Sequence, residues 1–341
     1  MSKKKPTSSG RTGSGLIRVL PGLLITLIAL GALYFFVDLD ALRGAFALAD
    51  YRWLPLVVLI FFGALAARSM AWRTILEERA SFGVSFVVIN QAYLLNNVLP
   101  FRLGELGRAL ILSTRARISF WHVFSTVVVE RVFDLAFAAG LLLSTLPFVV
   151  GADWARPAAT IAVALVAFGF VVLFVVASYP KQVSAFVHRL LKPLPRAQHW
   201  VEDKLASFLD GLSALRSPRR FLLVAFWMLL AWTCNVGWYY VLMRSFLPNA
   251  QWLWAMFTIG VASIGVALPS SPAYIGVLEA ALVSALSLFG IDPSLALAYA
   301  LVAHVIYFVI TGLIGIYGFW QQGESLGAIY HRLLAKPAEN G

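Results

Sequence analysis

The sequence predicts an all-α integral membrane protein. It has about six transmembrane helices and two re-entrant or broken helical hairpins, arranged as an inverted-topology repeat. Three observations carry this reading. Of 341 residues, 60% are hydrophobic and 13% charged, with a mean hydropathy of +0.82, whereas soluble domains average about 25% charged residues. Two long apolar stretches break at Leu-Pro steps, Leu99-Pro100 and Leu268-Pro269. Basic residues gather in alternate loops, as the positive-inside rule requires of a multi-pass chain.

The deficit of charge runs the whole length, so the chain reads as one membrane domain, 16–325, between tails at 1–15 and 326–341. Full spans are expected at about 16–37, 53–72, 119–147, 156–178, 220–243 and 294–320, each near the roughly 20 residues that a crossing needs. The first follows Lys3, Lys4, Lys5, Arg11 and Arg18, but it is too long for a signal-peptide core. Asp38-Leu39-Asp40 after it is no cleavage site, so it is expected to be a retained span.

The two interrupted stretches lie at 84–114 and 252–290. In the first, Val84 to Leu99 breaks at Pro100-Phe101-Arg102-Leu103-Gly104 and resumes only from Glu105 to Ser113. Neither arm crosses comfortably at about 1.5 Å per residue, so a re-entrant hairpin is expected. The second breaks at Leu268-Pro269-Ser270-Ser271-Pro272-Ala273-Tyr274-Ile275-Gly276. Its arms, 252–268 and 274–290, allow a hairpin or two full crossings, and both return the chain to the side it left.

Charge sets the orientation. Lys181, Arg189, Lys192, Arg196, Lys204, Arg216, Arg219 and Arg220 lie in the stretch from Pro180 to Arg220, and Arg115 and Arg117 follow the first hairpin. The opposite loops hold Arg43, Arg52, Arg156 and Arg244 among Asp38, Asp40, Asp50, Asp153 and Asp292. Both termini are therefore expected in the cytoplasm. The same placement accounts for the net charge of +11 without nucleic acid. Cys234, the only cysteine, excludes an intrachain disulfide or a cysteine-based metal site.

Span, hairpin, span then occurs twice in opposite orientation, at about 53–147 and 220–320. Gly104-Glu105 follows the first break, and Gly276 with Glu279 follows the second. Broken helices at matching places of inverted halves point to a transporter-type site. Between the halves, the segment 181–216 carries Val201, Leu205, Phe208, Leu209, Leu212 and Leu215 at helical spacing beside Glu202, Lys204 and Asp210. It is read as a helix on the cytoplasmic bilayer face or one packed against the spans.

Charge at membrane depth costs about 2.5–3.5 kcal/mol per residue on insertion scales. Arg102, Glu105 and Arg108 of hairpin one, with Glu130, Arg131 and Asp134 of the next span, can offset one another in a nearly neutral network. Glu130 and Asp134 are i,i+4 neighbours that need a cation between them, and Arg102 or Arg108 is the expected one. The same network serves an ion-pair lattice or a substrate site. At each tip the second arm starts with its N-terminus toward the membrane interior, which favours an anion such as phosphate. Arg102 can bind phosphate bidentately, and Ser270 and Ser271 can cap or contact it. His304 lies mid-span, as a bundle hydrogen bond or a proton-coupling group. Asn90, Gln91, Asn96 and Asn97 are expected to bond neighbouring helices. Trp53, Trp72, Trp121, Trp200, Trp252 and Trp320 fit an interfacial belt. No nucleotide-binding loop, zinc motif or triad is present, so neither a cofactor nor a metal is expected; the chain is read as no enzyme, with an intramembrane lipid-modifying activity through Glu130, Asp134 and His304 as the open alternative.

These residues also resemble a family. Asn96-Asn97-Val98-Leu99-Pro100-Phe101-Arg102-Leu103-Gly104-Glu105 with Arg108, then Glu130-Arg131-Val132-Phe133-Asp134, then Ala267 to Gly276 with Glu279 and His304, are similar to the motifs of the lysylphosphatidylglycerol synthase transmembrane region, or flippase-like, family. The resemblance covers about 15–325. It implies a bacterial inner-membrane protein like the flippase portion of proteins that make and translocate aminoacylated phosphatidylglycerol. Its relatives are associated with glycosyltransferases and with hopanoid or polyprenol-linked pathways. Only residues 321–341 follow the last span, so the soluble aminoacyl-transferase domain is expected to be absent. The candidate binding set is then Arg102, Glu105, Arg108, Glu130, Arg131, Asp134, Ser270, Ser271, Tyr274, Glu279 and His304. The expected function is translocation of a lipid or lipid-linked intermediate with an anionic, phosphate-bearing headgroup. The alternative is a scaffold that recruits a glycosyltransferase or lipid-synthesis enzyme through the basic 180–220 segment.

Overall fold

A computed structural model describes residue 31, residues 38–99, 102–150, 155–193, 195–266 and 272–323, and residues 327 and 329. The expected first span, the hairpin residues Pro100 and Phe101, the second break from Ala267 to Ser271 and most of both tails lie outside the described residues. All regular structure among the described residues is helical.

The order is α1 (Leu39–Leu48), α2 (Leu54–Ile75), α3 (Phe82–Val98), α4 (Gly104–Ala116), α5 (Phe120–Val150), α6 (Ala155–Ser178), α7 (Pro180–Leu191), α8 (Pro195–Gly211), α9 (Pro218–Phe246), α10 (Trp252–Gly265), α11 (Val277–Ser287) and α12 (Pro293–Gln322). Local chemistry marks the ends. Ser217 caps α9 and Asp292 caps α12, each followed by proline in the first turn, where its missing N–H costs nothing. Asp38 caps α1, accepting from Asp40 and Ala41 N–H groups. That cap explains a helix where the charge pattern suggests only an outer loop. The Asp38 N–H then donates to Ser294 Oγ at 3.1 Å, fixing α1 against the start of α12.

Among the described residues, four helical stretches are long and apolar enough to cross a membrane: Tyr51–Ile75, Phe120–Val149, Pro218–Phe246 and Pro293–Gln322. A fifth is counted if Ala167–Ser178 and Pro180–Leu191, bent by 92°, form one span. The hairpin arms are short. At 17 and 13 residues, α3 and α4 reach about 26 and about 20 Å; at 14 and 11 residues, α10 and α11 reach about 21 and about 17 Å. All fall short of the roughly 30 Å hydrocarbon core. The second pair is thus shorter than its apolar sequence suggests: α10 ends at Gly265, and after the break a 3-10 turn at Pro272–Tyr274 precedes α11.

Packing exchanges parts between the halves. The first long helices, α2 and α9, lie side by side, with Gly63 against Cys234 and Gly237 against Ile60. Arm α3 packs on α12, the last helix of the other half, and arm α10 packs on α5. Both crossed contacts rest on glycine. A Cβ at Gly315 would sit 2.8 Å from the Asn90 carbonyl oxygen, and one at Gly260 would sit 3.0 Å from the Leu142 nitrogen. Small residues that let helix backbones approach are the usual interface in lipid, where burial of apolar surface gives no driving force.

The 181–216 segment divides. Leu209, Leu212 and Leu215 are buried, and Gly211 presses on Ser125 and the His122 carbonyl of α5. The apolar stripe read from the sequence therefore docks on protein. By contrast, α7 buries none of its residues. Arg216 Nε donates to the Ala177 carbonyl. His122 Nδ1 lies 2.9 Å from Asp210, which also pairs with Arg79 at 3.5 Å, while Arg220 holds Glu77 at 2.6 Å. These contacts clamp α8 and the start of α9 to the α2–α3 turn and the start of α5.

Candidate functional site

The charged cluster is assembled from α2, the tip of the first hairpin, α4 and α5. Asn96 of α3 accepts the Gly104 N–H at 2.8 Å through Oδ1. A side chain at Gly104 would collide with Asn96 and the Ala92 carbonyl, so only glycine lets the arms close this tightly. Arg102 at the tip takes a left-handed φ of 55°.

Glu130 is fully buried and lies among three guanidinium groups. Arg108 grips it with Nη1 at 3.0 Å and Nη2 at 2.6 Å. Arg131 reaches it at 2.8 Å, and Arg68 of α2 reaches it at 2.8 Å. Asp134 receives Arg68 at 2.9 and 2.6 Å, Arg131 at 2.9 Å and the Trp232 indole N–H at 3.2 Å. The cation between the like-charged pair is thus Arg68, with Arg131, rather than Arg102 or Arg108. Arg68 is absent from the sequence-derived set. Its signal was an arginine inside the apolar span that precedes the first hairpin, with two carboxylates in the span that follows it.

Arg108 is almost fully buried and lies 3.7 Å from the Trp72 ring centroid, a cation–π contact strengthened by desolvation. It locks α4 to α5. Its i,i+3 neighbour Glu105 instead meets Arg131 at 3.5 Å and Arg102 at 3.7 Å. Among the described residues Arg102 has only long contacts: Glu105, the Val266 carbonyl at 3.4 Å, and the Tyr274 ring at 5.9 Å. Arg68, Arg102, Arg108 and Arg131 against Glu105, Glu130 and Asp134 leave one positive charge in excess. Arg102 is the cation whose hydrogen-bonding capacity is least used.

A cavity of about 460 Å³ adjoins this excess charge. Arg68, Arg102, Glu105, Arg131 and Asp134 line one side; Tyr93, Trp232, Trp238, Tyr239, Tyr274 and Tyr307 supply aromatic walls. Leu135 of α5 and Ile264 of α10 also line it, and each is about half exposed. Of the sequence-derived residues, Arg102, Glu105, Arg131, Asp134 and Tyr274 face the cavity. Arg108 and Glu130 do not line it. Ser270 and Ser271 lie outside the described residues.

Glu279 and His304 pair with each other. His304 Nδ1 lies 2.5 Å from Glu279 Oε1, and Glu279 Oε2 accepts the Gly276 N–H at 2.7 Å. Neither lines the cavity, although their neighbours Leu278 and Ala303 do. The Gly104 N–H, at the first tip, and the Gly276 N–H, at the start of α11, are each taken by a side chain of the hairpin itself; of the second helix start expected to meet an anion, Ser271-Pro272, Ser271 lies outside the described residues. The amides tie helices together: Gln91 and Gln322 exchange hydrogen bonds at 3.1 and 3.2 Å, and Asn97 donates to Thr311 at 3.4 Å. Asn90 donates within its own helix, to the Phe86 carbonyl at 2.8 Å.

Among the described residues no group of three metal-ligating side chains converges. The profile of the lysylphosphatidylglycerol synthase TM region matches residues 19–315. The chain belongs to this family. A UPF0104 membrane protein of Methanothermobacter thermautotrophicus is 23% identical over 312 residues, 88% of this chain and 92% of that protein. The glycosyltransferase AglD of Haloferax volcanii is 30% identical over 130 residues, 37% of this chain. That match spans only 20% of AglD, so it speaks to a shared segment. No solved structure matches. The multi-pass character of this lysylphosphatidylglycerol synthase TM family member agrees with its long apolar helices.

Proposed function

We propose that this protein binds the anionic headgroup of a membrane lipid or lipid-linked intermediate in the charged cavity and moves it across the bilayer. The observation that carries the reading is Arg102: a guanidinium with only long contacts, on the wall of a cavity with one positive charge in excess. A half-satisfied guanidinium on a cavity wall attracts a phosphate strongly, since charge-assisted hydrogen bonds are short and about twice as strong as neutral ones. The exposed Leu135 and Ile264 at the cavity rim suit an amphiphile whose chains stay in the bilayer. In this reading the two hairpin units form an inverted repeat, both termini are cytoplasmic, and the membrane is a bacterial-type inner membrane. On this reading the protein is a carrier and not an enzyme: Asp134, the carboxylate with short contacts beside the cavity, is held by Arg68 and Arg131.

Native mass spectrometry of purified wild type and Arg102→Ala tests the site. The expected result is one anionic lipid class enriched in wild type and lost in the variant, with transport of that lipid in proteoliposomes falling in parallel. Equal, bulk-like lipid profiles would remove the assignment. A second reading, a scaffold that recruits a glycosyltransferase or lipid-synthesis enzyme, draws on α7, which carries Lys181 and Arg189 and buries nothing. It requires that a neutral linker in place of 181–191 abolish function while Arg102→Ala does not.

A further inference from the structure

The second arm of each hairpin is tied to the following long helix by one buried charged pair, and the two ties differ in chemistry. In the first half, Arg108 of α4 holds Glu130 of α5 with two hydrogen bonds. Arginine keeps its proton at every accessible pH, so this tie is fixed. In the second half, Glu279 of α11 holds His304 of α12 at 2.5 Å. Both are nearly fully buried, and imidazole is the side chain whose charge ordinarily changes near neutral pH.

The surroundings leave this pair to balance itself. Neither α10 nor α11 carries another ionisable side chain besides Glu279. The titratable groups from the packed elements are tyrosines: Tyr239 of α9, whose carbonyl accepts from Tyr299 of α12 at 3.3 Å, Tyr274 of the tip, and Tyr307 of α12 against Tyr93 of α3. Arg244 on α9 bonds Tyr240, and α1 pairs its own Asp40 and Arg43.

We infer that Glu279 and His304 form a proton-binding site that latches the second hairpin to α12. With the imidazole protonated on both nitrogens, Nδ1–H donates to the carboxylate and the buried pair is neutral overall; the second of these protons is the one the site binds. When that proton leaves to solvent, a carboxylate remains buried beside a neutral ring, and such an uncompensated charge is costly in low dielectric. The latch therefore holds with the proton bound and loosens as pH rises. Because Glu279 Oε2 also carries the Gly276 N–H, losing the latch frees the start of α11. Leu278 and Ala303, adjacent in sequence to the two partners, are cavity wall, so the proton sets the position of that wall. Hairpin one is the static half of the cavity and hairpin two the half that responds to protons. The inference concerns the latch alone and stands whatever anion the cavity takes.

The test is hydrogen–deuterium exchange of the full-length protein in nanodiscs, corrected for intrinsic exchange, between about pH 6 and about pH 9. Protection of 277–287 is expected to fall by roughly tenfold or more as pH rises, with 104–116 unchanged. His304→Gln should abolish that dependence, and α2 and α9 protection in the same data reports whether the variant is folded. A pH response equal in both hairpins, absent from both, or retained in His304→Gln would overturn the inference. Should His304→Gln fail to fold, the wild-type His304 ring is followed by NMR. An imidazole that exchanges no proton from about pH 5 to about pH 10 overturns it too, whereas titration matched to the loss of α11 protection supports it.

Discussion

Arg68 holds Asp134 with both ends of its guanidinium, at 2.9 and 2.6 Å, and shares the first nitrogen with Glu130 at 2.8 Å. One side chain from α2 thus separates two carboxylates that stand one turn apart on α5. Removing one partner of a buried pair costs about 3–5 kcal/mol, because the remaining charge is left uncompensated. Arg68→Ala is therefore expected to lower the melting temperature of purified protein more than any other single arginine change facing the cavity. Arg68→Lys should recover only part, since an ammonium lacks the planar fork. Combining Arg68→Met with Asp134→Asn should recover more than the sum of the single effects predicts. Additive losses would mean that the two residues do not act as a pair.

Arg102 should behave in the opposite way. Its contacts are long and it is about one-third exposed, so Arg102→Ala is expected to change stability by less than about 1 kcal/mol. Retention of anionic lipid should fall nonetheless. Thermal melting with and without added anionic lipid separates the two effects: wild type is stabilised by ligand mass action, and Arg102→Ala is not. A variant that melts far below wild type in the absence of lipid would make Arg102 structural.

Much of this was legible from the chain. Proline and glycine at Pro100, Gly104 and Gly276 mark where the helices break, because no backbone rule of continuous helix survives there. The six charged residues of the first half could be picked out because charge in an apolar span is expensive. The partners were not legible. Glu105 and Arg108 share a helical face at i,i+3, yet tertiary packing sends Arg108 to Glu130 and Trp72, and Glu105 to Arg131. Arg68 and the aromatic wall, Trp232 and Tyr307 included, come from helices distant in sequence, and periodicity says nothing of which helix a face meets. The stripe at 201–215 has the period of an amphipathic helix whether its apolar side meets lipid or protein, so only the packing of Gly211 on α5 and the burial of Leu212 decide it.

That packing gives a third expectation. Leu212 is fully buried, and truncating such a leucine costs about 2–5 kcal/mol, so Leu212→Ala should lower the melting temperature by several degrees. Phe186 and Leu190 of α7 are each about two-thirds exposed. Phe186→Ser with Leu190→Ser should leave detergent melting unchanged and weaken binding of a peptide spanning 180–192 to anionic vesicles. A double variant that melts as low as Leu212→Ala would place α7 in the packed body of the protein.

The crossed contact between the halves predicts a graded response along one helix. Gly312, Gly315 and Gly318 lie on α12 at intervals of three. An added Cβ at Gly312 meets nothing within 4 Å, at Gly315 it meets the Asn90 carbonyl oxygen and Leu94 at 2.8 Å, and at Gly318 it meets Val87 at 2.5 Å. Replacing glycine by alanine inside a helix favours the helix by up to about 1 kcal/mol where space is free, whereas overpacking costs about 1–3 kcal/mol. Gly312→Ala should therefore be neutral or stabilising. Gly315→Ala should destabilise most, because its obstacle is backbone that cannot rotate away. Gly318→Ala should fall between, since the Val87 methyl and the Gln91 side chain can shift, at the expense of the Gln91–Gln322 amide pair. Melting temperatures of the three variants test the order. Equal effects at Gly312 and Gly315 would mean that α3 is not seated on α12 as described, and the exchange of hairpins between halves would lose its main support.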